Sequence, residues 1–549
     1  MRVACRVVLL LFTAAVLALA QSRPPVILIS IDTLRADHLS AYGYRAIQTP
    51  HIDSFAQNGA LLRSIDAQIP LTLPSHFSLF TSTYPFENRI EENAEPARPG
   101  AVTLASVLKA RGYQTAAFIG SVFLEKEMGL DVGFDYYDSP FHFQAFSPLS
   151  GSMFLGETHR GARDRRDGAL VIRSATQWLT THRGQPVFAF VHLFDLHRPY
   201  ERHATYDQAL VYVDQLLGAF RKSLEADGLW DGAMVIVFSD HGEGLGEHGE
   251  ASHGYFIYES TLHVPLLIHW PAASAVPQHP AGLIDVAPTI LEWLHIPAPP
   301  SFEGKSLTQG DRANVAESVH AYDAFGWAPL RSLRSSGFKY IDAPHAELYD
   351  LDADPGELRN LFAKDPARAE TMRRELRKII ADHSPARSAQ PPVTSPQTTA
   401  LLQSLGYLSG GPRVAARGPL ADPKDRLPEF HAYEKVEVAL SEARYADAVA
   451  LLRGILAKDP ANTLARRDLG SALLSLKQYG QAREEFERVL ANAPEDYVSQ
   501  YALGLVDEQL GQLDEAEKHL AIACRIAPAA EQCRRALDGV RAKRKPSRP

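Results

Sequence analysis

Three apolar runs in this sequence end on groups that exchange protons and bind cations. Val26 to Ile31 runs into Asp32, Ala233 to Phe238 runs into Ser239 and Asp240, and Val187 to Phe194 runs into Asp195, with His197 close behind. Nearly continuous apolar runs of this length read as central strands of a parallel sheet. In open α/β sheets, ligands bind outside the carboxyl ends of such strands. The three ends therefore converge on one polar site. Singly, each chemical group has an ordinary reading: Asp32 as a strand-end turn, Thr72 as a helix N-cap, His241 or His248 as a hydrogen-bonded surface histidine.

The elements that must position these groups occupy residues 25–385, where short β-rich runs alternate with longer helical patterns. That alternation is the signature of an α/β fold, a mostly parallel sheet sandwiched by helices. Residues 386–428 lose periodicity and fill with Pro, Ser, Gly and Thr, including Pro391-Pro392 and Gly410-Gly411, and read as a linker. Beyond it, in residues 429–545, Ala448, Ala482 and Ala516 recur at one interval, which Pro460, Pro494 and Pro528 share, and Leu469-Gly470 matches Leu503-Gly504. This pattern resembles the tetratricopeptide repeat, and predicts an all-α solenoid of about three repeats. Its apolar stripe is core packing first; its concave face is a surface for a protein or peptide partner. The linker leaves open whether the repeats fold back over the site or stand clear of it.

At 549 residues the chain exceeds what one hydrophobic core supports, so at least two domains are expected. A formal net charge of -9 gives no electrostatic footprint for nucleic acid. The basic cluster from Arg541 to Arg548 reads as a solvated tail. Arg2 and Arg6 followed by the apolar stretch Val7 to Ala20 have a signal-peptide layout, with cleavage expected after Ala20. The stretch is shorter than the roughly 20 apolar residues a membrane span needs. An exported, periplasmic or extracellular chain with no membrane span after cleavage is therefore expected; an uncleaved stretch would tether it to the membrane. Cys524 and Cys533 then remain, either as a disulfide or as two buried thiols.

The ordered blocks carry more information than any single residue. They run from Ile31-Asp32-Thr33-Leu34-Arg35 through Thr49-Pro50-His51 and Leu71-Thr72-Leu73-Pro74-Ser75-His76, then Val191-His192 to Pro199-Tyr200. Ser239-Asp240-His241-Gly242-Glu243, Ser252-His253-Gly254, Asp285 to Thr289 and Glu347 to Pro355 follow. Residues 25–385 resemble the sulfatase family of the alkaline-phosphatase superfamily. The resemblance implies a sulfatase-like sheet fold with a small C-terminal subdomain, a metal ligand at Asp32 and a nucleophile at Thr72. A helix beginning at Pro74-Ser75 would offer free backbone N–H groups to an anionic ester held beside Thr72.

Departures from that pattern redirect the chemistry. Sulfatases carry a Cys or Ser that becomes formylglycine, followed by Pro-Ser-Arg; here the block reads Thr72 to His76, and threonine cannot become the aldehyde. Thr33 replaces a second acidic residue and His241 replaces an Asn. The resulting set, Asp32, Thr72, Asp240 and His241, resembles the metal quartet of the phosphodiesterase and phosphoethanolamine-transferase branches. It implies zinc, with manganese or calcium as alternatives. His197 and His253, with Asp195, would hold a second ion and serve catalysis, while Glu243 and Glu247 would support the ligands. The resemblance thus implies a metal-dependent hydrolase that cleaves phosphate esters in preference to sulfate esters, through a covalent intermediate on Thr72. The alternatives are a sulfuric ester hydrolase, a phosphoethanolamine-type transferase and a repeat scaffold with a vestigial enzyme. The expected substrate is a small-molecule, glycan or lipid ester.

Overall fold

The computed structural model describes residues 23–93, 100–141, 165–198, 200, 203–310, 312–384, 419–526 and 531–544. The signal-like segment and most of the linker lie outside them. The strands are β1 (Val26–Ile31), β2 (Ala60–Asp66), β3 (Gln114–Phe118), β4 (Tyr136–Asp138), β5 (Val187–Leu193), β6 (Met234–Phe238), β7 (His263–His269) and β8 (Ala281–Gly282). They form one eight-stranded sheet in the order β4-β3-β5-β1-β6-β7-β2-β8. The strands from β4 to β6 in that order are parallel, and β7 runs against both β6 and β2.

β1 sits at the centre because all six of its residues can be buried, and all six are. Val26 and Leu28 point to one face, into a core with Phe188, Phe190, Ile236 and the helix α1 (Thr72–Thr81). Ile27, Ile29 and Ile31 point to the other, against α2 (Gly168–Thr181) and α3 (Tyr206–Ala226). The period-two alternation of a strand thus feeds two cores at once.

After the helix α4 (Val286–Trp293), four antiparallel strands, β9 (Asn314–Ser318), β10 (Leu330–Ser335), β11 (Phe338–Asp342) and β12 (Glu347–Asp350), make a small second sheet backed by α5 (Pro366–His383). A buried ionic joint ties the two sheets. Arg334 pairs with Asp66 and, at 2.9 Å, with Glu259, whose other oxygen lies 3.0 Å from Lys339. Buried charges are tolerated because each has a partner.

The described residues that follow hold seven helices: α6 (Leu427–Ser441), α7 (Tyr445–Lys458), α8 (Thr463–Ser475), α9 (Tyr479–Asn492), α10 (Tyr497–Gln509), α11 (Leu513–Ile526) and α12 (Glu531–Arg544). Each packs on the next, as a solenoid requires. The recurring small residues mark the crossings. Ala448, Ala482 and Ala516 are fully buried, and a Cβ at Gly470 would lie 2.8 Å from the Phe486 ring. Cys524 and Cys533 are joined as a disulfide, their Cα atoms 5.6 Å apart. The end of the segment read as linker is ordered and packed: the Ala328 N–H donates to the Ala421 carbonyl at 2.8 Å.

Candidate active site

The site is assembled where β1 and β6 end side by side. Ser239 Oγ donates to the Ile31 carbonyl (2.7 Å), accepts from the Leu34 N–H (2.8 Å), and so staples the two strand-end loops together. Thr33 occupies the left-handed region at φ 56°, a costly position for a β-branched residue. The turn is held by the Tyr206 hydroxyl, which donates to the Thr33 carbonyl at 2.8 Å. This strained turn delivers Asp32 and Asp240 to one spot, both fully buried.

Thr72, the first residue of α1, comes up beside Asp32 and His241. Its Oγ1 lies 3.2 Å from Asp32 Oδ2 and 3.5 Å from His241 Nε2. Asp240 Oδ1 accepts the His241 N–H at 3.0 Å, while Asp240 Oδ2 and Asp32 Oδ1 are buried without a hydrogen-bond partner. His241 Nδ1 faces the Gly242 carbonyl at 2.9 Å, so the tautomer that donates there leaves the Nε2 lone pair toward Thr72. The ligand atoms of Asp32, Asp240 and His241 all lie within 4.8 Å of one another. Burial lifts the Asp32 carboxyl to about 6, and burial with the nearby Asp32 charge also raises Asp240. Two buried carboxylates with orphaned oxygens and a lone pair from imidazole fit a divalent cation, which would neutralise them.

A row of imidazoles leads outward. The His253 ring is 4.4 Å from that of His241 and 5.1 Å from that of His197. His253 Nδ1 lies 3.1 Å from Glu243 Oε1, and His197 Nδ1 lies 2.7 Å from the Arg198 carbonyl, so both rings can present Nε2 lone pairs. Burial lowers the His253 imidazole to about 4 and the His197 imidazole well below its usual value, which keeps both neutral. Asp195 stands elsewhere: its Oδ1 accepts the Gly168 N–H at 3.1 Å, at the first turn of α2. A second-ion trio of His197, His253 and Asp195 is not among the ligand groupings of the described residues. The two histidines meet at the site, and the carboxylate caps a helix.

The start of α1 also differs from expectation. The helix begins at Thr72, two residues earlier than Pro74-Ser75 suggested. The Leu73 N–H is given to Asn93 Oδ1 (2.9 Å), Pro74 has none, and the Ser75 N–H bonds the Leu71 carbonyl (3.0 Å). Little of the free amide cradle remains for an anion.

Two buried histidines that stand in the sequence blocks, without an assigned role there, take up defined positions. His192, on β5, places Nε2 3.3 Å from Asp32 Oδ2, with Nδ1 lacking a hydrogen-bond partner. His76 holds the Thr72 carbonyl through Nδ1 (2.7 Å) and Ser30 Oγ through Nε2 (2.8 Å), so both nitrogens are committed to positioning α1. The signal for His192 was present as a lone polar residue inside a strand-length apolar run.

Comparison with known proteins gives the family. Residues 24–296 match the sulfatase family model, residues 246–384 match the N-sulphoglucosamine sulphohydrolase C-terminal model, and residues 439–504 match a tetratricopeptide-repeat model. An N-acetylglucosamine-6-O-sulfatase of Bacteroides thetaiotaomicron is 23% identical over 66% of this chain and 86% of its own. The multifunctional alkaline phosphatase superfamily protein PehA of Trinickia caryophylli is 31% identical over 33% of this chain and 40% of its own. The crystal structure of the phosphonate monoester hydrolase of Agrobacterium radiobacter superposes with a TM-score of 0.54 at 23% identity, covering 66% of this chain and 96% of that one. The chain belongs to the sulfatase family of the alkaline-phosphatase superfamily, as a hydrolase domain of that family followed by tetratricopeptide repeats.

Proposed function

We propose that this domain hydrolyses phosphate esters in preference to sulfate esters, with Thr72 as nucleophile. The observation that carries the reading is the Thr72 hydroxyl seated between Asp32 Oδ2 and His241 Nε2, where a formylglycine precursor would have to stand in a sulfatase. Asp32, Asp240 and His241, with the Thr72 oxygen, would hold one divalent ion, zinc being the best match to a set that mixes nitrogen and oxygen donors. When bound, such an ion supplies a Lewis acid that lowers the pKa of a neighbouring hydroxyl and offsets charge on the ester.

The chain's own groups supply the rest. Asp32 Oδ2, 3.2 Å from Thr72 Oγ1, is placed to accept the hydroxyl proton, and the freed oxygen attacks phosphorus in line; a phosphothreonine forms as the bond from phosphorus to the ester oxygen breaks, and the departing alkoxide takes a proton from water. His253, oriented by Glu243, offers Nε2 to take a proton from the water that later cleaves that ester. His197, stacked on Phe194 at 4.3 Å, forms the neighbouring wall. The export reading is supported by the disulfide of Cys524 and Cys533, since such bonds persist in oxidising compartments.

A second reading, a sulfuric ester hydrolase, is favoured by the sulfatases among the relatives. Initial rates on matched aryl phosphate monoester, phosphodiester and sulfate ester, with zinc or manganese, separate the two. Phosphate preference that Thr72→Ala removes and Thr72→Ser partly keeps supports the threonine mechanism; a sulfate preference overturns it.

A further inference from the structure

The repeats are not a free appendage. Phe430 of α6 is buried in the same apolar core as the catalytic sheet, 4.3 Å from the Tyr255 ring. Tyr433, one turn on, meets Phe325 edge-on at 5.3 Å. His431 Nε2 lies 2.6 Å from the Gly249 carbonyl, and Leu427 covers Gly249 so closely that a Cβ there would collide. The lead-in is pinned as well: Asp422 Oδ2 accepts the His345 N–H at 2.9 Å, and Lys424 Nζ lies 2.5 Å from Glu347. An apolar seam flanked by ion pairs fixes α6 against the loops that follow β6.

The docked helix closes one side of a cavity of about 690 Å³. Its inner side carries His197, Glu243 and His253; its outer side carries His431, Glu434 and Lys435. The last three, at helical spacing, share one face of α6, while Phe430, Tyr433, Val436 and Ala439 are buried. A space of this size takes far more than an ester group, since pockets of about 300 to 1,000 Å³ hold drug-sized ligands. The charges are uneven. Glu434 has Arg198 and His431 for opposite charges, and Arg444 is held by Glu442 and Asp447, whereas Lys435 is exposed and shows no ion pair among the described residues.

We propose that the first repeat helix is the outer wall of the substrate pocket and reads the alcohol part of the ester, Lys435 selecting alcohols that carry an anionic group. This rests on the ester-hydrolase reading for the bond that is cleaved. The repeats then act as a specificity element built into the enzyme, with Glu434 available to hydroxyl groups of the same alcohol.

The test uses the full chain and a matched pair of aryl phosphates, one with an uncharged and one with a carboxylate-bearing substituent at the far end of the ring system. The same pair is made as hydrolysis-resistant phosphonates for calorimetric titration, so binding is read whether or not either ester turns over. Because Lys435 is exposed, Lys435→Glu is expected to fold, and its melting temperature checks this. The expected result is a loss of preference for the carboxylate-bearing member by about tenfold, in Kd for the phosphonates and KM for the esters. An unchanged preference in Lys435→Glu overturns the proposal. Wild-type protein inactive on the phosphates and on the corresponding sulfates would sink the ester-hydrolase reading alone, because the phosphonate preference is measured separately.

Discussion

His192 Nε2 lies 3.3 Å from Asp32 Oδ2, across the β5–β1 register that pairs His192 with Ser30. Burial holds this imidazole down to about 4, so it is neutral and can donate one N–H to the carboxylate. A hydrogen bond of that kind fixes a carboxylate's orientation and typically contributes roughly 10- to 100-fold to metal affinity. His192→Ala is expected to weaken zinc binding by about that factor, and His192→Gln by less because its amide can still donate. Calorimetric titration of chelator-treated protein measures both. Equal affinities in all three proteins would mean that His192 is only a core residue.

Asp32 Oδ1 and Asp240 Oδ2 are buried without hydrogen-bond partners, a cost that a bound cation would remove. Chelation is therefore expected to lower the melting temperature, and zinc or manganese to restore it. A ligand at about 100 times its Kd adds about 2.7 kcal/mol. In Asp240→Asn the response should be mostly lost, because a carboxylate ligand is gone while the shape is kept. Scanning calorimetry with and without metal reads the difference, and a full response in Asp240→Asn would place the ion elsewhere.

Sequence reasoning reached Asp32 and Asp240 because each ends a continuous apolar run, and runs of that kind leave few alternatives to a central strand. His241 and Thr72 were legible only through the order of blocks. Asp195 was drawn to the site by the same strand-end logic, yet its oxygen is taken by Gly168, whose approach depends on a helix placed by distant packing. The amides of α1 looked free because nothing near them in sequence reveals that Asn93 returns to accept from Leu73. The solenoid was legible from spacing, since small residues must recur where helices cross. Its docking was not: Phe430 looks like any other apolar residue of an amphipathic helix until Tyr255 is seen beneath it. Periodicity reports which face is apolar and is silent on which partner covers it.

Glu87 offers a pH test away from the site. Burial and the nearby Glu303 charge push its carboxyl up to about 7. A carboxyl raised on folding binds its proton more tightly in the native state, so its contribution is present below the ordinary value and is lost as pH rises toward 7. Glu87→Gln cannot ionise and should be more stable than wild type at pH 8, by about 1 kcal/mol after allowing for partial solvent screening. The two proteins should converge near the ordinary carboxyl value, where Glu87 is largely protonated. Urea melts at both pH values measure this. A constant difference would mean that lost packing, and not ionisation, separates them.

The disulfide between Cys524 and Cys533 ties α11 to α12, the last helix among the described residues. Among the described residues α12 packs mainly on α11, so its stability rests largely on that interface. With 9 residues of sequence separation, closing the loop is worth at most about 2.5 kcal/mol in the chain-entropy account. Cys533 is fully buried beside Leu520 and Val540, so replacing it would also open a cavity. Cys524→Ser is the cleaner variant because Cys524 is only partly buried. Under oxidising conditions, Cys524→Ser should show faster backbone hydrogen exchange in α12, and reduction of the wild type should reproduce it. Exchange in α6 should not change, because that helix is held by Tyr255 and Phe325 at the opposite end of the array. If α12 exchanges equally in both redox states, the terminal helix is held by apolar packing alone and the disulfide adds nothing to its stability.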